Sequence, residues 1–170
     1  MGAEEVFDIV DESGIVIGKA TRAQVHADKS LIHRSVHIHV FDSNGRLFLQ
    51  KRSMTKDVQP GKWDTSVGGH VDGGESVEKA AVREMGEELG IRGVKPNFLY
   101  SYLWRSEIET ELVSTFGVVW DKDIRLLESE LDDGRFWEPE EIKEALGTGL
   151  FTPNFEEEYG RLLEHTAEGE

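Results

Sequence analysis

The sequence contains no cysteine, which excludes disulfide bonds, thiolate zinc sites and thiol nucleophiles. It also lacks any run of eighteen apolar residues, so no membrane-spanning helix is expected. The first five residues have no basic or apolar signal character, and we expect a cytoplasmic protein. Bases are scarce, with 19 lysines and arginines against 34 acids and a net charge of −15. A surface this acidic repels duplex nucleic acid and anionic lipid, so neither is an expected partner.

A length of 170 residues suits one globular domain spanning 1–170. Alternating apolar patterns predict strands, and longer amphipathic segments predict helices. The predicted strands cover 6–10, 15–19, 36–41, 47–50, 65–67, 98–104 and 108–120, and the predicted helices cover 21–26, 76–89, 139–146 and 154–165. Strands and helices mixed in this way favour an α/β sandwich, with a sheet between helical layers.

The most informative segment is the helix predicted from about Ser76 to Leu89. Glu84, Glu87 and Glu88 stand at positions i, i+3 and i+4, so their carboxylates share one helical face. The apolar stripe beside them is expected to comprise Ala81, Val82, Met85 and Leu89. Carboxylate oxygens suit Mg²⁺ or Mn²⁺, ions that also bind phosphate oxygens. The competing interpretation is a solvated acidic face that binds nothing.

A wider pattern favours the metal-binding interpretation, because the segment resembles the Nudix box, Gly-x5-Glu-x7-Arg-Glu-U-x-Glu-Glu-x-Gly-U, where U is a bulky apolar residue. Every fixed position is matched, by Gly69, Glu75, Arg83, Glu84, Met85, Glu87, Glu88, Gly90 and Ile91. The resemblance implies a Nudix-type α/β/α sandwich with a mixed β-sheet. It also implies a pyrophosphohydrolase, MutT-like in its chemistry, that uses Mg²⁺ or Mn²⁺ to cleave a diphosphate bond in a nucleoside-diphosphate derivative or another small phosphorylated metabolite.

The same resemblance assigns roles by motif position. Glu84, Glu87 and Glu88 would be catalytic metal ligands, with the backbone carbonyl of Gly69 as a further ligand. Glu75 and Arg83 would pair and fasten the preceding loop to the helix. A carboxylate would serve as general base, and both Glu84 and an acid outside the helix are candidates.

Residues 5–157 also resemble the branch of this superfamily that contains type I isopentenyl-diphosphate isomerase. The isomerase builds a separate metal site at positions that match His26, His33, His70, Glu109 and Glu111. Such a nitrogen–oxygen ligand set would hold a second divalent ion, with Mn²⁺, Zn²⁺ and Mg²⁺ as candidates. Taken singly, each of these histidines is also compatible with an ordinary hydrogen-bonded residue.

Three departures argue against isomerase chemistry in this chain. Gly68 stands where the isomerase needs a cysteine, and Glu84 stands where it has an arginine for the diphosphate. Its carbocation-stabilising tryptophan falls at Asn154 or Phe155. The leading hypothesis is therefore hydrolysis. The alternatives are an isomerase-like enzyme and a non-catalytic Nudix module that binds a nucleotide or sugar.

Bases near the box are candidates for binding the substrate's phosphates: Arg22, Lys51, Arg52, Lys56 and Lys62. We favour Arg52 and Lys56, because the isomerase branch has diphosphate-binding bases there. His37 and His39 share one face of a predicted strand, and they would either line the pocket or pack under a helix. The sequence leaves the substrate and the oligomeric state open, although dimers are frequent in the family and a homodimer is one expected assembly.

Overall fold

A computed structural model describes residues 5–55, 59–127 and 131–168 of the chain. The elements, in chain order, are β1 (Val6–Val10), β2 (Val16–Thr21), α1 (Arg22–Ala27), β3 (Ile32–Phe41), β4 (Leu47–Arg52), β5 (Trp63–Asp64), β6 (Val67–His70), α2 (Val77–Leu89), β7 (Asn97–Arg105), β8 (Thr110–Val119), β9 (Leu131–Trp137), α3 (Pro139–Ala145) and α4 (Pro153–Glu168).

The centre of the sheet is β3, which pairs with four other strands. It runs parallel to β8 over its whole length, from Ile32 opposite Thr110 to Phe41 opposite Val119. It is antiparallel to β1, β4 and β6, and the β6 register sets His37 opposite Gly68. The outer strands add antiparallel pairs, with β2 on β1, β7 on β8, and β5 and β9 on β4. The sheet is therefore mixed, as predicted.

Alternation along β3 gives the two faces of the sheet different chemistry. Val36, Ile38 and Val40 point to one face, where they form a core with residues of α2 such as Met85 and Leu89. The other face carries Ser35, His37 and His39. Next to these polar residues, α3 and α4 bury a second core that includes Ile142, Phe155, Tyr159 and Leu162. Helices thus cover both faces, and the predicted α/β/α sandwich is confirmed.

The helix α2 begins and ends where the sequence predicted. The Ser76 hydroxyl accepts a hydrogen bond from the backbone amide of Lys79, which caps the first turn. Gly90 adopts a left-handed conformation with φ of 69°, and its amide bonds to the carbonyls of the last turn. The predicted apolar stripe needs one correction, because Val82 is exposed whereas Ala80 is buried with the core.

Several strands differ from the predicted ones. Strand β3 begins at Ile32, four residues before the predicted start, because His33 and Ser35 occupy inward positions that the apolar pattern did not reveal. Strand β6 runs through Gly68 and Gly69 to His70 instead of ending at Val67. Strands β5 and β9 were not predicted; β9 is paired along β4, and its segment Leu-Asp-Asp-Gly carries little strand propensity.

Among the helices of the described ranges, none is long and apolar enough to cross a bilayer.

Candidate active site

The box glutamates (Glu84, Glu87 and Glu88) lie in the C-terminal half of α2, where Glu84 faces β6. The Glu84 carboxyl group lies directly against the α-carbon of Gly69, so that a Cβ at position 69 would overlap it. Only glycine allows this approach. The packing of α2 on the sheet therefore brings the box helix against the Gly68–Gly69 backbone, as the motif implied.

Glu88 is the most deeply buried member of the three. It retains 6% exposure, and its Oε1 accepts a hydrogen bond of 3.0 Å from the side-chain amide of Gln50. Burial, together with the adjacent Glu84, raises the pKa of Glu88 to about 9, although the amides of Gln50 and Gly68 act in the opposite direction. The amide of Gln50 also donates to the carbonyl of Ser66, which holds Gln50 in place.

The carboxyl groups of Glu84 and Glu88 are close enough for each to shift the pKa of the other, and a proton held between two such groups would relieve their repulsion. Burial likewise raises the pKa of Glu84, although Arg83 opposes that rise. A divalent cation bound between the two groups would take the place of the proton, so this pair fits a metal ion. The donors on α2 are all oxygens, which suits Mg²⁺ or Mn²⁺.

Arg83 holds the loop and the box glutamates together. Its guanidinium donates to both carboxylate oxygens of Glu75, at 2.8 and 2.9 Å, and to Glu84 at 2.8 Å. A further hydrogen bond of 3.1 Å reaches the backbone carbonyl of His70. The predicted pair of Glu75 and Arg83 is therefore present. Glu87 lies at the outer edge, 53% exposed and 3.3 Å from Arg83, so it differs in environment from the two buried box glutamates.

A buried acid that the sequence did not reveal braces the same loop from the other side. Asp8 on β1 accepts hydrogen bonds from Lys19 at 2.6 Å, from Arg34 at 2.9 Å and from the Gly74 backbone amide at 2.8 Å. Arg34 also donates to the carbonyl of Glu75. The loop before α2 is thus fixed at both ends, by Arg83 and by Asp8.

The predicted second metal site also comes together in space. The metal-binding atoms of His33, His70, Glu109 and Glu111 all lie within 4.8 Å of one another. His26 stands beside them, with its Nε2 3.0 Å from Glu109. We call these five residues, drawn from α1, β3, β6, β8 and the loop before β8, the histidine–glutamate cluster. Its distant positions in the sequence meet because β3 pairs with both β6 and β8.

The electrostatics of the histidine–glutamate cluster also fit a cation. Burial raises the pKa of Glu111 to about 7, and the adjacent Glu109 adds to the rise. Burial acts against ionisation of Glu109 as well, yet a hydrogen bond with Glu111 and the nearby imidazoles lower the pKa of Glu109. Burial, followed by the proximity of His70, lowers the pKa of His33 to about 4, so its ring is neutral and able to bind a metal.

Among the candidate phosphate-binding bases, Arg52 lies on the strand that also carries Gln50, the hydrogen-bond partner of Glu88. It lies at the end of β4, with its guanidinium 3.6 Å from Asp64 and its side chain 24% exposed. Lys56 lies outside the described residues. Arg22 lies elsewhere, beside the histidine–glutamate cluster, with its Nη2 2.8 Å from Glu5 and 3.4 Å from His70.

The face of the sheet under α4 contains a further charged group that the sequence did not predict. Glu158 of α4 is completely buried and lies 2.8 Å from His37 Nδ1 and 2.7 Å from His39 Nε2. The hydroxyls of Tyr102 and Thr115 donate to the same carboxylate at 2.7 and 3.0 Å. We call these five residues the Glu158 network. One signal was available, since Glu158 falls on the apolar stripe of its helix.

The sequence profile of the NUDIX domain matches residues 31–155 of the chain. This match covers more than half of the sequence and includes the box glutamates and every member of the histidine–glutamate cluster except His26.

The chain belongs to the Nudix family.

Relatives agree with this assignment, and two of the three described below are named Nudix hydrolases, in keeping with the predicted enzyme class. An uncharacterized Nudix hydrolase of Yersinia pestis is 34% identical over 96% of this chain and 94% of its own length. An isopentenyl-diphosphate Delta-isomerase of Photorhabdus laumondii is 36% identical over 76% of this chain and 75% of its own length. An uncharacterized Nudix hydrolase of Streptomyces coelicolor is 45% identical over 60% of this chain, which spans only 56% of that relative.

Solved structures agree with the fold. A crystal structure of a Deinococcus radiodurans protein is 25% identical with a TM-score of 0.79, covering 92% of this chain and 98% of that one. The Nudix domain of a Shewanella oneidensis protein, solved as a complex with ADP-ribose, superposes with a TM-score of 0.63 at 16% identity, covering 88% and 98%. The second likeness shows the Nudix fold alone.

Two of the three departures from the isomerase pattern, at Gly68 and at Asn154 or Phe155, are now placed. Gly68 is exposed on β6 beside His37, so no side chain projects there. Phe155 is buried in the core under the sheet, whereas Asn154 donates a hydrogen bond of 3.3 Å to the Tyr102 hydroxyl. Of these two residues, Asn154 is therefore the one beside polar groups, and its side chain offers no aromatic face for a carbocation.

Proposed function

We propose that the chain is a divalent-metal-dependent hydrolase that cleaves a diphosphate bond in a nucleoside-diphosphate derivative or another small phosphorylated metabolite. The observation that carries this proposal is the contact between the buried carboxyl groups of Glu84 and Glu88 at the Gly68–Gly69 backbone, within a complete Nudix box. Two acids held together away from water favour a cation between them.

The cation would be Mg²⁺ or Mn²⁺, in keeping with the divalent metals that Nudix enzymes generally use. Glu84 and Glu88 would bind it, with Glu87 and the carbonyl of Gly69 as further ligands. Such an ion neutralises phosphate charge and lowers the pKa of bound water. Arg83 and Glu75 fix the geometry of the ligands, because their bidentate pair ties the loop before α2 to the helix.

The protein's own groups supply the remaining roles. Arg52 and Lys56 would bind phosphate oxygens at the rim. Glu84 is one candidate for the general base that accepts a proton from the attacking water, and Glu111 is a candidate outside the helix, since burial raises the pKa of both carboxyl groups.

The histidine–glutamate cluster would hold a second divalent ion. Its donors, three imidazoles and two carboxylates, suit Mn²⁺, Zn²⁺ or Mg²⁺. Support comes from His33, which is fully buried while neither of its ring nitrogens makes a hydrogen bond within the described residues. A metal ion would satisfy one of those nitrogens. The site adjoins the box glutamates, since His70 follows Gly69 directly on β6.

Two other functions have distinct signatures. Isomerisation of an allylic diphosphate would exchange deuterium from solvent into isopentenyl diphosphate, and Gly68 leaves the chain without the thiol for that step. A non-catalytic module would bind a nucleotide or sugar without turnover. The full set of box glutamates argues against the second function.

The proposal is tested by incubating the protein with Mg²⁺ and a panel that includes ADP-ribose, nucleotide sugars, dinucleotides and small diphosphates. Release of two monophosphorylated products from at least one compound is expected. Glu78→Gln is the matched control for the box variants, because Glu78 lies exposed in the first turn of the same helix. Absence of hydrolysis across the panel, despite Mg²⁺ binding, would contradict the proposal.

A further inference from the structure

The Glu158 network contains one ring nitrogen that the packing of α4 does not use. The carboxylate of Glu158 can only accept hydrogen bonds, so the nitrogen that faces it, His37 Nδ1, carries a proton. This 2.8 Å contact fixes the plane of the ring and directs Nε2 away from Glu158. The described residues give Nε2 of His37 no hydrogen-bond partner.

The free edge of the His37 ring faces Gly68. A Cβ at position 68 would lie 3.4 Å from Cδ2 and 3.7 Å from Nε2 of this ring. Gly68 itself is exposed, and His37 retains 12% exposure although it lies under α4. The absence of a side chain on Gly68 therefore leaves Nε2 facing open space on the sheet.

That open space adjoins the box glutamates, because Gly68 lies next to both the Glu88 carboxylate and the His37 ring. Its backbone amide acts on the Glu88 carboxylate, while its α-carbon faces His37. Three acids surround the imidazole: Glu158 beneath it, Asp64 on β5 and Glu111 on β8. Burial opposes protonation, yet these acids, Glu158 foremost, raise the pKa of His37 to about 9. His37 is thus a cation beside the cluster of carboxylates.

A role in packing alone explains His39 better than His37. His39 is fully buried, with its Nε2 2.7 Å from Glu158, and it already supplies a partner for that carboxylate. Tyr102 and Thr115 provide two more donors. His37 adds a further donor and, unlike His39, keeps one nitrogen open beside the box.

We propose that His37 contacts the substrate, donating a hydrogen bond from Nε2 to an anionic oxygen of the diphosphate beside Gly68, while Glu158 acts as a positioning residue beneath it. This inference rests on the proposed function, since it names a contact with the same diphosphate. A fixed cationic donor there would offset phosphate charge in a chain whose net charge is −15.

Two substitutions at position 37 separate substrate contact from packing. His37→Asn retains an amide nitrogen near the place of Nδ1, which can still donate to Glu158, but removes Nε2. His37→Gln places an amide nitrogen near the place of Nε2. His39→Asn is the matched control, because it alters the same carboxylate without changing the open side of the network.

The measurement is calorimetric binding of α,β-methylene-ADP, a non-hydrolysable diphosphate, in the presence of Mg²⁺. We expect His37→Asn to weaken this binding tenfold or more, His37→Gln to recover part of the loss, and His39→Asn to change it less than threefold. Mg²⁺ binding without the analogue should stay unchanged in His37→Asn. In ¹⁵N-histidine NMR spectra, the Nε2 signal of His37 should shift on addition of the analogue, whereas that of His165 should not.

Gly68→Ala provides a second test that does not disturb the Glu158 network. Gly68 is not one of the glycines with a positive φ, so its backbone accommodates alanine. The new methyl group would occupy the space beside the His37 ring. Weakened analogue binding with an unchanged urea midpoint is expected.

Wild-type affinity for the analogue in His37→Asn, together with an unmoved His37 signal, would overturn the proposed contact and leave the hydrolase proposal intact. A wild-type protein that neither binds the analogue in the presence of Mg²⁺ nor hydrolyses any compound of the panel would overturn both.

Discussion

Glu88 and Glu158 are both buried glutamates, yet the groups around them differ in charge. Glu88 faces another carboxyl group, Glu84, and receives one side-chain amide hydrogen bond from Gln50. Glu158 receives two imidazoles and two hydroxyls. As a result the pKa of Glu88 is raised to about 9 by burial, whereas that of Glu158 lies well below its usual value although burial opposes this.

This difference in surroundings indicates which of the two buried acids is suited to bind a cation. A buried carboxylate with a full set of donors stabilises the fold and has no capacity for another cation. A buried carboxyl group opposed by a like group lacks compensation, which a divalent ion supplies. Substituting each acid should therefore affect different properties: activity at Glu88 and stability at Glu158.

The largest effect is expected for Glu88→Gln. Loss of a carboxylate ligand should reduce turnover roughly a thousandfold, or about 4 kcal/mol of transition-state stabilisation, as expected for a metal ligand. Removing one of two opposed acids should leave the free energy of unfolding without metal unchanged or slightly higher. Steady-state kinetics and urea denaturation in EDTA check both. Retained activity would show that Glu88 does not hold the metal.

A smaller effect, on folding, is expected for Glu158→Gln. The substitution leaves two imidazoles without a counter-charge inside the protein, so we expect a loss of about 3 kcal/mol in the free energy of unfolding. Urea denaturation near pH 7 measures it. The adjacent Glu157, which is 44% exposed and paired with Arg161, is the control, and Glu157→Gln should change stability by less than about 0.5 kcal/mol. Equal effects at the two positions would contradict the role of Glu158.

The same network should make stability depend on pH. The pKa of His37 is raised from 6.5 to about 9 on folding, so the folded chain binds this proton more tightly than the unfolded chain. The stabilisation is fully present below pH 6.5 and is lost as pH rises through 9, by about 3 kcal/mol. Unfolding free energies at pH 6.5 and pH 9 should differ by this amount more in the wild type than in His37→Asn. Identical slopes would refute the coupling.

The smallest effect concerns Asp8, a third buried acid, which resembles Glu158 in being well supplied with donors. Asp8→Asn should cost about 1–2 kcal/mol in unfolding free energy, because three hydrogen bonds lose their charged acceptor. It should also raise the Mg²⁺ concentration needed for activity by a few fold, since the loop before α2 is less firmly held. A loss of stability with unchanged Mg²⁺ dependence would show that Asp8 stabilises the fold but does not support the metal site.

The sequence was sufficient for the box because its residues lie within one helix and its adjoining loop. Helical spacing alone brings Glu84 and Glu88 onto one face, and the pair of Glu75 and Arg83 follows from the same motif. The histidine–glutamate cluster could be named only through the family resemblance. Its members are spread from His26 to Glu111, and strand pairing, which spacing does not reveal, brings them together.

The residues that were missed or left undecided depend on contacts between distant elements. His37 and His39 were placed on one strand face, but the choice between pocket and packing required Glu158, more than a hundred residues later. Glu158 itself lies among Phe155, Tyr159 and Leu162 on the buried side of α4, and a charged residue in such a stripe predicts a buried partner. Strands β5 and β9 escaped prediction because pairing with β4, rather than local propensity, determines them.

Titration with Mn²⁺, followed by electron paramagnetic resonance, measures directly whether the opposed carboxyl groups of Glu84 and Glu88 bind a divalent ion. Compared with the wild type and with Glu78→Gln, the Glu88→Gln protein should bind at least one ion fewer per chain, or bind it tenfold or more weakly. Equal numbers of bound ions with equal affinities in all three proteins would contradict the metal site on α2 and the hydrolysis that depends on it.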